Sequence, residues 1–230
     1  MMTAGSVAVT LVLGGCTGDG PTPDSNGPAI TAAMMQAGVL KPADIGVSWK
    51  KPDQSPAVTG VIPLCGGLAS RPPVPGQPSV IASSLADEGD KGAQSFDQLG
   101  LVYPDVASAD AAIETLHATA VNCLAKVSRS AGPRDGTAEA GYTETTTVES
   151  LNSGGWSGFV VLRHKVYEAS NPGTADTAVA VMAENNGLVV ASYGVYWVGQ
   201  HSTGPEFNTD WRRLVATVLN RVEAKRTGPS

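Results

Sequence analysis

Residues 177–198 read TAVAVMAENNGLVVASYGVYWV, two uncharged apolar runs on either side of Glu184-Asn185-Asn186-Gly187. Asn-Gly supplies the left-handed backbone that a tight reversal needs, and apolar runs on both sides of it predict a β-hairpin. Strands joined this tightly pair antiparallel. Upstream, residues 156–168 alternate: Val160, Leu162 and Val166 point one way, Phe159, Val161, Arg163, Lys165 and Tyr167 the other. Residues 152–155 form a turn, and the Thr- and Val-rich residues 142–151 suit a further strand. Residues 80–85 and 94–103 add strands on the N-terminal side, and Val47 and Trp49 suggest a short one.

Helical spacing appears three times. Residues 30–40 form a short helix, followed by a turn at 42–45. Residues 109–127 carry Ile113, Leu116, Ala120, Cys123, Leu124 and Val127 on one face, with Ser108 as the predicted N-cap. Residues 208–225 carry Trp211, Leu214, Val215, Val218, Leu219 and Val222 as one stripe. A helix with one apolar stripe must bury it against a sheet. The predicted class is therefore α+β: an antiparallel β-sheet covered by a long central helix and a C-terminal amphipathic helix. Residues 51–78 hold seven prolines and read as a loop with few apolar anchors of its own.

The chain has 230 residues, 42 % apolar and 16 % charged, enough for a core. Its net charge of −6, with no basic block, argues against a nucleic-acid partner. Residues 6–13 are an apolar run too short to span a bilayer and suited to a secretory signal. Leu13-Gly14-Gly15-Cys16 follows, and resembles the lipobox of bacterial lipoproteins, in which the Cys thiol takes a diacylglycerol and the chain is cut before it. Residues 17–28, TGDGPTPDSNGP, have no apolar anchor and read as a polar tether. The expected organisation is a signal peptide over 1–15, a lipidated Cys16 with its tether over 16–29, and a folded domain over 30–226. Residues 1–15 lack the Lys or Arg that normally opens a signal, so the true start is expected upstream. After Cys16 only Cys65 and Cys123 remain. In an exported protein two thiols pair more often than they stay free, and two buried free thiols are the alternative.

No catalytic apparatus is legible. His117, His164 and His201 share no metal-ligand spacing. Gly154-Gly155-Trp156-Ser157-Gly158 lacks the Gly-x-Ser-x-Gly spacing of a nucleophile elbow, and strand follows it. Glu139, Glu144 and Glu149 read as a solvated face. No phosphate- or dinucleotide-binding glycine motif follows a strand, and no metal or cofactor is called for. The aromatics offer a binding surface instead. Tyr193 and Trp197 share one strand face around Val195, and with Trp156 they are candidate ligand contacts; core packing is the competing reading.

The ordered features resemble a known family. The lipobox, the polar tether, Ala43-Asp44-Ile45-Gly46-Val47-Ser48-Trp49, Cys65-Gly66, the helix opened by Ser108-Ala109-Asp110-Ala111-Ala112 and carrying Cys123, Gly155-Trp156, and the closing helix occur in the order found in actinobacterial lipoproteins. Those carry a domain like the extracellular sensor domain of the mycobacterial kinase PknH, and the resemblance covers about residues 30–225. It implies an antiparallel sheet with helices, a cleft for an unidentified ligand, a Cys65–Cys123 disulfide, and no catalytic residue. The family's second disulfide would fall near Gly158 and Tyr193, where this chain has no cysteine. The resulting expectation is a non-catalytic ligand-binding or sensing domain on the outer face of the membrane, held there by its lipid. A carrier of lipids or envelope components, with a deep apolar cavity, is one alternative. An envelope enzyme, with converging ionisable groups of shifted pKa, is the other.

Overall fold

The computed structural model describes residues 27–53, 60–66, 72–87, 93–134, 137–168, 172–199, 203–204 and 206–228. Cys16, the signal segment, most of the tether and His201 lie outside them. In chain order the elements are α1 (Ala32–Gly38), α2 (Pro42–Ile45), β1 (Ser79–Asp87), β2 (Gln94–Val102), α3 (Val106–Val121), β3 (Lys126–Arg129), β4 (Gly132–Arg134), β5 (Thr137–Glu139), β6 (Tyr142–Ser153), β7 (Trp156–Tyr167), β8 (Gly173–Glu184), β9 (Gly187–Val198) and α4 (Phe207–Thr227). Seven strands form an antiparallel sheet in the order β1-β2-β9-β8-β7-β6-β3; β4 and β5 make a separate small hairpin.

The hairpin of residues 177–198 is the centre of the sheet. β8 and β9 pair from Gly173↔Val198 to Glu184↔Gly187, leaving Asn185 and Asn186 as the turn. Asn185 adopts φ 52°, a left-handed conformation that its short polar side chain tolerates. Both strands are buried almost throughout, because helices cover both faces of the sheet. On one face α1 and α4 lie over Ala178, Ala180, Met182, Val189 and Ala191. Seven α4 side chains from Phe207 to Val222 are buried there, each worth roughly 2 kcal/mol of apolar burial. On the other face α3 and residues 62–65 cover Leu99, Phe159, Val161, Val179, Val181 and Leu188. α3 presents mainly Ala109, Ala112, Leu116 and Ala120, and three small side chains let it sit close to the strands.

Several boundaries differ from the sequence reading. The N-cap of α3 is Asp105, not Ser108: its carboxylate accepts the Ser108 N–H at 2.7 Å, so the helix starts at Val106. The helix ends at Val121, not 127. Asn122 caps it, Leu124 is exposed, and Val127 joins the edge strand β3, where ladder hydrogen bonds to β6 replace helical ones. Residues 42–45 are one helical turn rather than a plain reversal, with Pro42 in its first turn and Asp44 bonded back to the Lys41 N–H at 2.7 Å. The expected strand at Val47 and Trp49 reduces to a single bridge between Lys50 and Ala86. β3, β4 and β5 were not foreseen; all are four residues or fewer, too short to show a period.

Cys65 and Cys123 form a disulfide with a Cα separation of 5.4 Å. Cys123 lies just past α3, its N–H bonded to Ala120 O at 3.0 Å. The loop it secures is better anchored than its composition suggests. Ile62 and Leu64 are fully buried under the α3 face, and Val61 bridges Pro73.

Candidate functional site

Trp156, Tyr193 and Trp197, the expected ligand contacts, are 2–3 % exposed and belong to the core beneath α4. Tyr193 stacks on Phe207 at 5.8 Å and donates its hydroxyl proton to Gln94 Oε1 at 2.8 Å. Burial, together with the nearby carboxylates of Asp210 and Glu206, pushes its hydroxyl pKa up. The Trp197 ring lies against Gly204, where a side chain would collide with it. These aromatics pack the core rather than an open groove, because the α4 stripe covers the face they share.

The open site lies at the end of the sheet where β7 begins and β8 ends. A cleft of about 510 Å³ is lined there by Asp110 and Ile113 of α3, Gly155, Ser157 and Gly158 at the start of β7, Ala183, Glu184 and Asn185, and Arg226 of α4. The Arg226 side chain is 8 % exposed. Its NH2 donates to Glu184 Oε1 at 2.6 Å and to Glu223 Oε1 at 3.0 Å, and its Nε donates to Glu223 Oε2 at 2.8 Å. The two carboxylates, Glu223 first, raise the guanidinium pKa and hold it charged. Glu184 Oε2 is buried and has no hydrogen-bond partner among the described residues. Gly155 makes this arrangement possible: a Cβ there would stand 2.7 Å from both Glu184 carboxylate oxygens. The lining is thus mixed, polar and apolar in about equal measure, with room for a small ligand.

Sequence reasoning picked out this region only through Gly155, Ser157 and Gly158, and for a hydrolase motif that it rejected. Ser157 lies on an extended strand, as that rejection required. Glu184 read only as a residue flanking a turn, and Arg226 only as a favourable charge at a helix C-terminus. No local pattern links two residues 42 positions apart.

A second polar cluster lies on the α4 face near the far ends of β7 and β8. His164 Nδ1 is 2.7 Å from Asp176 Oδ1, and Thr203 Oγ1 is 3.1 Å from the same His nitrogen and donates to Asp176 Oδ1 at 2.8 Å. This is not a nucleophile–base–acid triad. In that arrangement the hydroxyl and the carboxylate engage opposite ring nitrogens; here both meet Nδ1. His117 packs edge-on against Phe159 at 5.0 Å. Among the described residues no group of three His, Cys, Asp or Glu side chains could hold a metal.

Glu144 corrects another expectation. It is buried, not part of a solvated face, and sits 3.9 Å from both Arg163 and Lys165 of β7. Glu149 is exposed. An interval of five reverses the side of a strand, so the two carboxylates never shared a face.

No protein-family model and no curated protein matches the sequence. Solved structures do. The crystal structure of the extracellular domain of PknH from Mycobacterium tuberculosis superposes with a TM-score of 0.53 at 16 % identity, over 85 % of this chain and 98 % of that one. This chain shares the fold of the PknH extracellular domain. An uncharacterized protein from Mycobacterium smegmatis aligns over 86 % of this chain and 99 % of its own at 12 % identity, with a TM-score of 0.40, too low to carry an argument. The PknH likeness fixes architecture: a central antiparallel sheet and a closing C-terminal helix. No helix among the described residues is long and apolar enough to cross a membrane.

Proposed function

We propose that this protein is a lipoprotein whose folded domain binds or senses a small ligand on the outer face of the membrane, without a catalytic step. The cleft carries the reading. It is open, with polar and apolar surface in about equal measure and charged groups on its walls, unlike the deep apolar cavity that acyl-chain transport would need. Within it Arg226 is gripped by Glu184 and Glu223. The shared fold with a kinase's extracellular domain supports placement outside the membrane, and the lipobox supports Cys16 as the anchor.

Native mass spectrometry of the protein purified from its own host tests the binding function. A retained small molecule, lost when Glu184 is replaced by Gln, is the expected result. A bound acyl lipid that survives Glu184→Gln would instead support the carrier reading. Metabolic labelling with a fatty-acid analogue tests the anchor: the wild type should be tagged and Cys16→Ala should not. Equal labelling of both would remove Cys16 from the account.

A further inference from the structure

A polar column interrupts the apolar layer beneath α4, at the opposite end of β8 from the cleft. Thr174 and Asp176 point to the same face of β8 as Ala178, Ala180 and Met182, and Thr174 is paired with Trp197 of β9. Thr174, Asp176 and Trp197 are 0, 2 and 3 % exposed. Asp176 Oδ1 is taken by His164 and Thr203. Asp176 Oδ2, Thr174 Oγ1 and Trp197 Nε1 are buried and have no hydrogen-bond partner among the described residues.

One short strap covers all three. Thr203 Oγ1 donates to Asp176 Oδ1 at 2.8 Å. The next residue, Gly204, lies on the edge of the Trp197 indole that carries Nε1: a Cβ there would stand 2.8 Å from Cζ2 and 3.1 Å from Cε2. Cross-strand partners on one face have Cβ atoms about 5 Å apart, and residues two apart on a strand are separated by about 7 Å. A molecule that bonds two groups at once spans about 5–6 Å between them. One small molecule is therefore within reach of the three atoms.

The donor set selects that molecule. The indole N–H only donates, the carboxylate oxygen only accepts, and the threonine hydroxyl does either. The occupant must accept and donate together. A metal ion or an ammonium group accepts nothing from Trp197, and an anion has nothing to donate to Asp176. Water does both, and its share of volume is only about 30 Å³.

We propose that this spot is a binding site for one fixed internal water, which accepts from Trp197 Nε1–H, donates to Asp176 Oδ2 and completes its bonds on the Thr174 hydroxyl. The water removes the cost of three unpaired buried groups. It also joins β8 and β9 to the entry of α4. Through Asp176 Oδ1 the column reaches Thr203, and Gly204 O accepts the Phe207 N–H at 3.2 Å, where α4 begins. At its outer end stands His164, with a side chain 31 % exposed.

The test is a crystal structure of the full chain, at a resolution that shows ordered water, beside the thermal midpoint of Thr174→Val. Valine keeps the shape of threonine and loses the hydroxyl. The expected result is a water peak within about 3.2 Å of both Trp197 Nε1 and Asp176 Oδ2. Thr174→Val then takes one anchor from that water and should lower the midpoint by a few degrees. A dry site gives the opposite sign, because deleting an unpaired buried hydroxyl stabilises the fold. No peak bridging Trp197 and Asp176 would overturn the proposal, and so would a midpoint unchanged or raised in Thr174→Val. If the variant does not fold, the density of the unaltered chain decides alone.

Discussion

Asn186 is buried at the tip of the central hairpin, and its side-chain amide is fully engaged. Oδ1 accepts from the Ile30 N–H at 2.7 Å, while Nδ2 donates to Ile30 O at 3.1 Å and to Tyr103 O at 2.8 Å. One side chain thus fastens the entry of α1 and the end of β2 to the turn between β8 and β9. Asn186→Ala would leave one buried N–H and two buried carbonyls without these partners. The expected loss is about 2–4 kcal/mol, since each orphaned buried polar group costs on the order of 1–3 kcal/mol and local relaxation recovers part of it. Urea unfolding should show the midpoint falling with an unchanged slope. Asn185→Gly is the contrast: at φ 52° glycine is unstrained, and stability should stay within about 0.5 kcal/mol. The Asn-Gly signal found the turn but not this network, because a hydrogen bond across 156 residues leaves no mark on local sequence.

Between elements, two links respond to conditions. The Cys65–Cys123 bridge joins the segment after Ile62 and Leu64 to the residues just past α3, closing a loop of 58 residues. Replacing both cysteines by serine should cost roughly 4 kcal/mol on the loop-entropy account. Ile62 and Leu64 are also held by burial under α3, so limited proteolysis of the double variant should still spare residues 60–66 under native conditions. Rapid cutting there would show that the bridge alone holds the segment. The second link ties α2 to α4. Arg221 NH1 and NH2 donate to the two Asp44 carboxylate oxygens at 2.7 and 2.8 Å. Those bonds, with the Lys41 N–H, lower the Asp44 pKa to about 2 from 3.8. A folded-state pKa below the unfolded value gives stability that is complete above about pH 4 and is lost as pH falls toward 2. The pair is partly exposed, so solvent screening limits the effect to about 1 kcal/mol. Asp44→Asn should flatten the acid limb of stability between pH 4 and 2 by that amount, measured as urea midpoints; an unchanged limb would show the pair to be energetically silent. Elements of this kind were unevenly legible. The long strands and α4 declared themselves through period and composition. The end of α3 did not, because Leu124 and Val127 kept helical spacing after the backbone had left the helix. The cleft stayed hidden because it is assembled from the ends of four elements, none of which has a period at its end.

For the whole molecule, the arrangement of layers makes the N-terminal segment part of the core. α1 brings Met35 to 1 % exposure, and Ile30 and Leu40 flank it at 2 %. Leu40 N–H also reaches Gln98 Oε1 at 3.4 Å, and Gln98 Nε2 returns to Gly38 O at 3.3 Å. Gly38 packs on Val222 and the Val218 carbonyl of α4, and Gly100 of β2 packs on Met35, so α1 fills the space between the closing helix and the sheet. Gly27 and Ile30, beside the cleft, are thus tied into the packed body, and a chain cut just before Gly27 differs sharply from one cut just after α1. Removing residues 1–26 should leave the thermal midpoint of the domain within a few degrees, since none of the three buried α1-region anchors is lost. Removing residues 1–40 uncovers Val218, Val222 and the central strands and deletes three buried apolar side chains, each worth roughly 2–5 kcal/mol when truncated. Against a typical total of about 5–15 kcal/mol, that loss should abolish cooperative unfolding or drive the chain to aggregate. Calorimetry of the two truncations beside the full chain decides it. Equal midpoints for all three would mean that α1 merely rests on the domain.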